Sequence, residues 1–201
     1  METIEEWVKA IRFDQTHVIS QPAELQLIGQ GRSAAVFKLP DAAQAIKVFY
    51  PGYEYLAMKE ADVYQRLAHH HAYPELREAG DGYLVLEYLD GTTFYDCLRT
   101  GIPITPRMVS MVDEALEYAR SKGLNPSDIH LKNIIFTTDQ TVKVIDVVRF
   151  TQHKNCPHWS DLKKAYFAYY QRRFFPKRYP KLIMELVIRL YRKRLLQQKT
   201  G

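Results

Sequence analysis

Cysteine is scarce in this sequence: Cys97 and Cys156 are the only two in 201 residues, too few for a disulfide framework. Both are therefore expected as free thiols in a reducing compartment. Long apolar runs are missing as well, and no stretch approaches the roughly eighteen consecutive apolar residues of a membrane span. Met1-Glu-Thr-Ile-Glu-Glu6 is acidic and has no apolar secretion core, so a cytoplasmic protein is the expectation. Acidic residues nearly vanish from residues 161–201, where two stand against twelve Lys or Arg. Because the formal net charge is only +5, the residues before them are net acidic and the basic character belongs to the tail. A hydrophobic content of 46% is enough for one good core, or for two small lobes that share a cleft.

What is present is a dense polar stretch, Asp128-Ile-His-Leu-Lys-Asn133, and then Asp146 at the end of Val142-Lys-Val-Ile-Asp. The stretch opens after Gly123-Leu-Asn-Pro126 and closes into the apolar run Ile134-Ile-Phe136. Thr137-Thr-Asp-Gln140 reads as a turn and Val142-Lys-Val-Ile145 as a returning strand, which puts Asn133 and Asp146 on either side of a hairpin. Two carboxylates and a carboxamide thus converge at one hairpin end. Phosphoryl transfer from ATP needs this set: Asp128 orients a hydroxyl and accepts its proton, while Asn133 and Asp146 hold Mg2+, or Mn2+, against the phosphates. Asp and Asn beside hairpins are more often plain turn formers, so the upstream sequence decides.

Upstream, Leu27-Ile-Gly-Gln-Gly-Arg-Ser-Ala-Ala-Val-Phe-Lys38 carries Gly29 and Gly31, and Ala45-Ile-Lys47-Val-Phe49 sets a lysine inside an apolar strand. Lysine is rarely buried without a partner. A helix expected over residues 53–70 offers Glu60 on the side of Ala57 and Tyr64, with Glu54 as the other candidate. In order and type these residues resemble the protein-kinase-like superfamily, over roughly residues 25–161. The fold this implies is α+β and two-lobed: a small antiparallel sheet lobe over residues 1–89 and a reduced helical C-lobe over residues 90–201. Apolar spacing and turn residues predict a short helix over residues 3–13, Gly29 and Gly31 in the turn between the first two strands, Pro40-Asp41 in the next turn, and a central C-lobe helix that starts at the Thr105-Pro106 cap and ends before Gly123.

The resemblance implies roles for further residues. Gly29 and Gly31 let backbone amides approach the phosphates, and Val36 closes over the adenine. Leu86 guards the back of the pocket, the Glu87 carbonyl and Leu89 amide meet the adenine edge, and Ile135 joins this nucleotide-binding set. Lys47, paired with Glu60, holds the α and β phosphates; Lys132 either touches the transferring phosphoryl group or points to solvent. The resemblance also makes the partners ATP and a hydroxyl-bearing substrate, expected to be a protein.

Departures are informative. Pro126-Ser127 stands where many protein kinases have His-Arg, and His130 stands where they usually have lysine; it is expected as a hydrogen-bonded structural residue. Val147-Val148 replaces the Phe-Gly that follows the metal aspartate, and two β-branched residues favour a fixed extended backbone. Asp161 stands only fifteen positions after Asp146 and resembles the aspartate that braces the catalytic loop, so almost no activation segment remains. This truncation resembles RIO-like and lipopolysaccharide-type kinases. The expected activity is an atypical serine/threonine protein kinase, with a small-molecule or saccharide kinase and an ATP-binding pseudokinase as alternatives. His153, Cys156 and His158 lack a fourth ligand and are not read as a metal site. The C-terminal stretch reads as an amphipathic helix with Leu182, Ile183, Leu186, Val187 and Leu190 inward and Arg192, Lys193 and Arg194 outward. It is either a solvated face or a dock for an anionic partner.

Overall fold

The computed structural model describes residues 3–40, 43–154 and 156–200, with side chains described for all of these except 192 and 194–200. Helix α1, Ile4–Ala10, starts in a capping box: Thr3 Oγ1 accepts from the Glu6 amide and Glu6 accepts from the Thr3 amide. The helix expected over residues 3–13 ends early because the next residues pair as a hairpin, β1 (Arg12–Asp14) with β2 (His17–Ser20). Phe13 then meets the ring of Tyr50 edge-on at 5.1 Å.

Strands β3 (Gln26–Gln30), β4 (Ala34–Lys38) and β5 (Gln44–Phe49) follow, then α2 (Tyr55–Leu67), β6 (Leu76–Gly80) and β7 (Tyr83–Glu87). The five strands form one antiparallel sheet in the order β3-β4-β5-β7-β6. Gly29 lies inside β3, at an irregularity of the pairing, rather than in the turn expected for it; Gly31 forms that turn, its amide donating to the Ala34 carbonyl. The expected Pro40-Asp41 turn runs into residues outside the described ones. Strand alternation sorts the faces. Phe37, Ile46, Val48, Tyr83 and Val85 pack towards α1, whereas Ala34, Phe49, Leu84 and Leu86 face α2. Lys47, between Ile46 and Val48, is thereby turned to the α2 side.

Beyond the sheet come β8 (Gly91–Thr93), α3 (Phe94–Thr100), α4 (Pro106–Ser121), β9 (Ile134–Thr137), β10 (Val142–Val144), α5 (His158–Ala165) and α6 (Lys181–Thr200). The Ile134 hairpin forms as expected, with β8 added on its other side in the order β10-β9-β8. Gly91 has to be glycine there, since a Cβ would stand 2.5 Å from the Phe136 carbonyl. Thr105 caps α4 and Pro106 opens it, and Met108, Val112, Ala115, Leu116 and Ala119 are buried, which makes this the central helix expected. Its core is continuous with Leu67 of α2 and with Tyr73, whose hydroxyl donates to the Ala115 carbonyl at 2.7 Å. The result is a mixed α+β, kinase-like bilobed fold.

Two expectations about the tail need correction. Asp161 is half-buried and accepts from the Tyr191 hydroxyl at 2.8 Å, and among the described residues its carboxylate makes no hydrogen bond or ion pair with residues 125–133. Leu182, Ile183, Leu186, Val187 and Leu190 are exposed, because α6 buries Met184 instead. Lys193 is exposed, while the side chains of Arg192 and Arg194 lie outside the described residues. Among the described residues no helix is long and apolar enough to cross a membrane.

Candidate active site

Lys47 is fixed by its strand. It sits in the middle of β5, 8% exposed, opposite Leu84 of β7 and Val36 of β4. Glu60 is fully buried on the face of α2 that packs on the sheet, one turn from Ala57 and Tyr64. The two meet bidentately, Lys47 Nζ donating to Glu60 at 2.6 and 2.9 Å. A third bond, 2.9 Å, runs from Nζ to Asp146 Oδ1. Burial alone would lower the ammonium pKa, but the charges of Glu60 and Asp146 reverse this and hold it above the ordinary lysine value. Burial holds Glu60 above the ordinary carboxylate value despite the opposing charge of Lys47, which it meets in a short bidentate contact. Lys47 lowers Asp146, whose side chain remains 44% exposed to the cleft. Glu54, the other candidate partner, instead accepts from the Gly52 amide.

Asp146 has a left-handed backbone, φ 58°, and so does Asp128, φ 60°. Aspartate tolerates this region better than bulkier residues, though at some cost, and such residues cluster at functional sites. The turn at Asp146 directs the chain from β10 into a 3-10 stretch, Val147–Thr151, not the extended backbone expected of two valines. Burial decides: Val147 and Phe150 are both fully buried, and the stretch packs against α2. Arg149 is left facing out.

The catalytic stretch is tied down on both sides. Asn125 Nδ2 donates to the Gln152 carbonyl at 2.7 Å and the Lys154 carbonyl at 3.1 Å, and its amide donates to the Phe150 carbonyl. Asn133 Nδ2 donates to the Asp128 carbonyl at 3.2 Å, which leaves its Oδ1 to the cleft. The Ile145 amide donates to the Asn133 carbonyl at 2.9 Å, so Asn133 and Asp146 stand side by side at the hairpin end. Among the described residues no three His, Cys, Asp or Glu side chains gather as a metal cluster.

Asp128 is enclosed by cations that the sequence did not reveal. Its Oδ2 meets Arg32 Nη2 at 3.1 Å and Arg149 Nη1 at 2.9 Å, and its Oδ1 lies 3.4 Å from His158 Nδ1. The imidazole contact is ionic rather than a directed hydrogen bond, since Nδ1 lacks bonding geometry. His158, then Arg149, His130 and Arg32 hold Asp128 down at about 2 against the opposing effect of burial. In return Asp128 and Cys156 raise His158 to about 9. Cys156 accepts from the Asp128 amide at 3.3 Å, and His158 lowers its thiol more than burial raises it. The close spacing of Cys156 and His158 was the one available signal, and it points to this carboxylate rather than to a metal.

Other expected site residues take these places. Lys132 is exposed and lies over the Tyr95 ring, 4.7 Å from its centroid. His130 is half-buried, and burial lowers its pKa; no hydrogen bond to its ring occurs among the described residues, contrary to expectation. Leu86 is buried, Val36 and Ile135 are half-buried, and Glu87 pairs with Lys143 at 2.7 Å. The Leu89 amide has no partner among the described residues. A cavity of about 390 Å³, lined by Met58, Tyr64, Tyr73, Glu75, Leu76 and Arg77, includes none of Lys47, Glu60, Asp128 and Asp146.

No protein-family model matches the chain. It is 48% identical over 192 residues to a Bacillus subtilis (strain 168) protein named "Putative serine/threonine-protein kinase YrzF", covering 94% of this chain and 88% of that protein. Shorter similarities run to the serine/threonine-protein kinase PknB of Mycolicibacterium smegmatis, 34% over 68 residues, or 32% of this chain and 11% of that one. The serine/threonine-protein kinase KSP1 of Saccharomyces cerevisiae is 27% identical over 96 residues, 45% of this chain and 9% of that one. With the ionic cleft and the bilobed fold, these similarities give the family: the chain belongs to the serine/threonine protein kinases of the protein-kinase-like superfamily, and it is an ATP-dependent phosphotransferase.

Proposed function

We propose that this protein transfers the γ-phosphoryl group of ATP to a serine or threonine hydroxyl of another protein, in the cleft between a sheet lobe ending near residue 89 and the helical lobe that follows. The observation that carries this reading is the bridge of Lys47 Nζ to both Glu60 and Asp146. It joins a strand, a helix and a hairpin end, and it aims one ammonium at the place where phosphates would lie. Glycines at 29 and 31 allow backbone amides to approach those phosphates, and Val36, Leu86 and Ile135 form the apolar slot for adenine, whose edge the Glu87 carbonyl and the Leu89 amide would meet.

The donor set fits Mg2+ or Mn2+. Asp146 keeps a carboxylate oxygen beyond the one bound by Lys47, and Asn133 keeps its Oδ1. Magnesium takes one or two protein oxygens and completes its shell with phosphate and water, so a larger acidic cluster is not required. When bound, the ion would neutralise charge on the β and γ phosphates. Lys47 holds the α and β phosphates, Asp128 accepts the acceptor's hydroxyl bond and draws it in line with the γ phosphorus, and Lys132 is close enough in sequence to assist. The basic residues of α6 support a second role, docking an anionic partner.

Asp128→Asn keeps the size of the side chain and removes its charge and proton acceptor. Transfer of labelled phosphate should fall by roughly 10²-fold or more while Mg-ATP still binds. The assay follows label into the protein itself, into a cell extract divided by size, and into a generic protein acceptor. Equal turnover by wild type and variant would remove Asp128 from the mechanism, and label confined to low-mass solutes would replace the protein acceptor by a small one.

A further inference from the structure

The acceptor end of the cleft gathers positive charge around a single carboxylate. Arg32 comes from the turn after Gly31, Arg149 from the 3-10 stretch after Asp146, and His158 from the start of α5. All three point at one carboxylate, whose side chain is 11% exposed. The arginine side chains themselves are 74% and 46% exposed, and among the described residues neither meets another carboxylate. Each guanidinium offers five donors in a planar fork that suits carboxylate or phosphate oxygens, and each spends only one contact on Asp128. Both forks meet the same oxygen, Oδ2, so a hydroxyl that reaches Asp128 arrives beside two guanidiniums.

We propose, resting on the protein-kinase reading above, that Arg32 and Arg149 select the acceptor: a serine or threonine set in an anionic protein segment, whose neighbouring acidic side chains draw the two guanidiniums away from Asp128. The exchange does two things at once. It gives attraction only to a segment of opposite charge, because a basic one meets like charge at the mouth. It also frees Oδ2, the carboxylate oxygen that both arginines hold at rest, for the incoming hydroxyl. In the transfer the acceptor oxygen bonds the γ phosphorus as the bond from that phosphorus to the β,γ-bridging oxygen breaks. The hydroxyl proton passes to Asp128, and ADP leaves with the electron pair of the broken bond.

The test uses the full chain and three peptides of equal length with one central serine, flanked by Asp, by Lys or by phosphoserine. Initial rates at low peptide concentration give kcat/KM, and ATP consumption without peptide is measured alongside. Wild type should favour the Asp peptide over the Lys peptide by about tenfold or more, the scale of one or two charge-assisted contacts. A still faster phosphoserine peptide would keep the clamp and name phosphoryl as its preferred anion. The double charge reversal Arg32→Glu with Arg149→Glu should invert the order; arginines with a merely structural role would lower all rates by one factor. Should that variant fail to fold, Arg149→Gln should narrow the ratio. Equal rates for the Asp and Lys peptides, a preference for Lys, or a ratio that neither variant moves would overturn the inference. If ATP is consumed without any such selectivity, only this inference falls; if no ATP is consumed in any arm, the phosphotransferase reading falls with it.

Discussion

Around Lys47 one buried cation serves two carboxylates; around Asp128 one carboxylate serves three cations, at the rim. The first cluster has a surplus of negative charge and the second a surplus of positive charge. That opposition matches the two bodies a phosphotransferase must hold: a metal-bound nucleotide on one side and an acceptor on the other. Burial differs as much as sign. Glu60 is fully buried and Lys47 nearly so, whereas Arg32 lies mostly in solvent. The inner cluster should therefore carry stability as well as chemistry, and the outer one chemistry with little stability.

The largest expected effect breaks the inner cluster. Glu60→Ala leaves a buried ammonium with Asp146 as its remaining partner, a change that costs about 3–5 kcal/mol for typical buried pairs. The lower end is expected here because Asp146 stays. Urea unfolding would read it as a fall in midpoint with an unchanged slope. A loss under about 1 kcal/mol would put Glu60 in the same class as the rim charges and erase the contrast.

A smaller effect concerns the metal side of the same cluster. Asp146→Asn should weaken ATP binding in the presence of Mg2+ by about tenfold, an order of magnitude that corresponds to the loss of one charge contact, and change it little without the ion. Calorimetric titration with and without metal checks this. Identical affinities in both conditions for the wild type would detach Asp146 from any metal role.

Sequence reasoning reached the Lys47–Glu60 pair and Asp128 but missed the cations around Asp128, for a physical reason. Lys47 in an apolar run and Glu60 one turn from Ala57 and Tyr64 are legible because strand and helix periods dictate which way each points. The Ile134 hairpin and α4 were legible too, from turn residues and from the Thr105-Pro106 cap. Arg32, Arg149 and His158 sit on a turn, a 3-10 stretch and a helix start, where no period fixes direction and any solvent-facing role was open to them. Strands β1, β2, β6 and β8 are short or mostly exposed, and their identity comes from pairing partners that lie elsewhere in the chain. Tertiary pairing also moved the α1 boundary, and burial of Val147 and Phe150 overrode the strand preference of the valine pair.

The outer cluster predicts a pH dependence of its own. His158 has its folded pKa raised to about 9 above an ordinary value of 6.5 by Asp128, with Cys156 adding to it. A raised pKa means that the folded state binds the proton more tightly, so the contribution is full below about 6.5 and is lost as pH rises through about 9. Arg149 and Arg32 meet the same carboxylate, and the Tyr191 ring lies 5.8 Å from the imidazole. Thermal unfolding of wild type and His158→Gln should thus differ most near neutrality and converge by pH 10, with a gap of roughly a few degrees at pH 7. A gap that does not change with pH would assign His158 a packing role only.

The smallest expected effect is also the sharpest test of the contrast. Arg32→Gln removes a cation whose side chain is 74% exposed, so water and salt already screen most of its attraction to Asp128, and ordering the long side chain offsets part of what remains. Asp128 keeps Arg149 at 2.9 Å and His158 at 3.4 Å, so no buried charge is left alone, unlike the ammonium in Glu60→Ala. The stability change should be within about 1 kcal/mol and should shrink further in high salt, as measured by urea unfolding at two ionic strengths. A loss comparable to that of Glu60→Ala would mean that the glycine-turn arginine is a structural tie between the two lobes. The positive rim would then be a latch that holds the cleft together, with its charge spent on the fold rather than left for an acceptor.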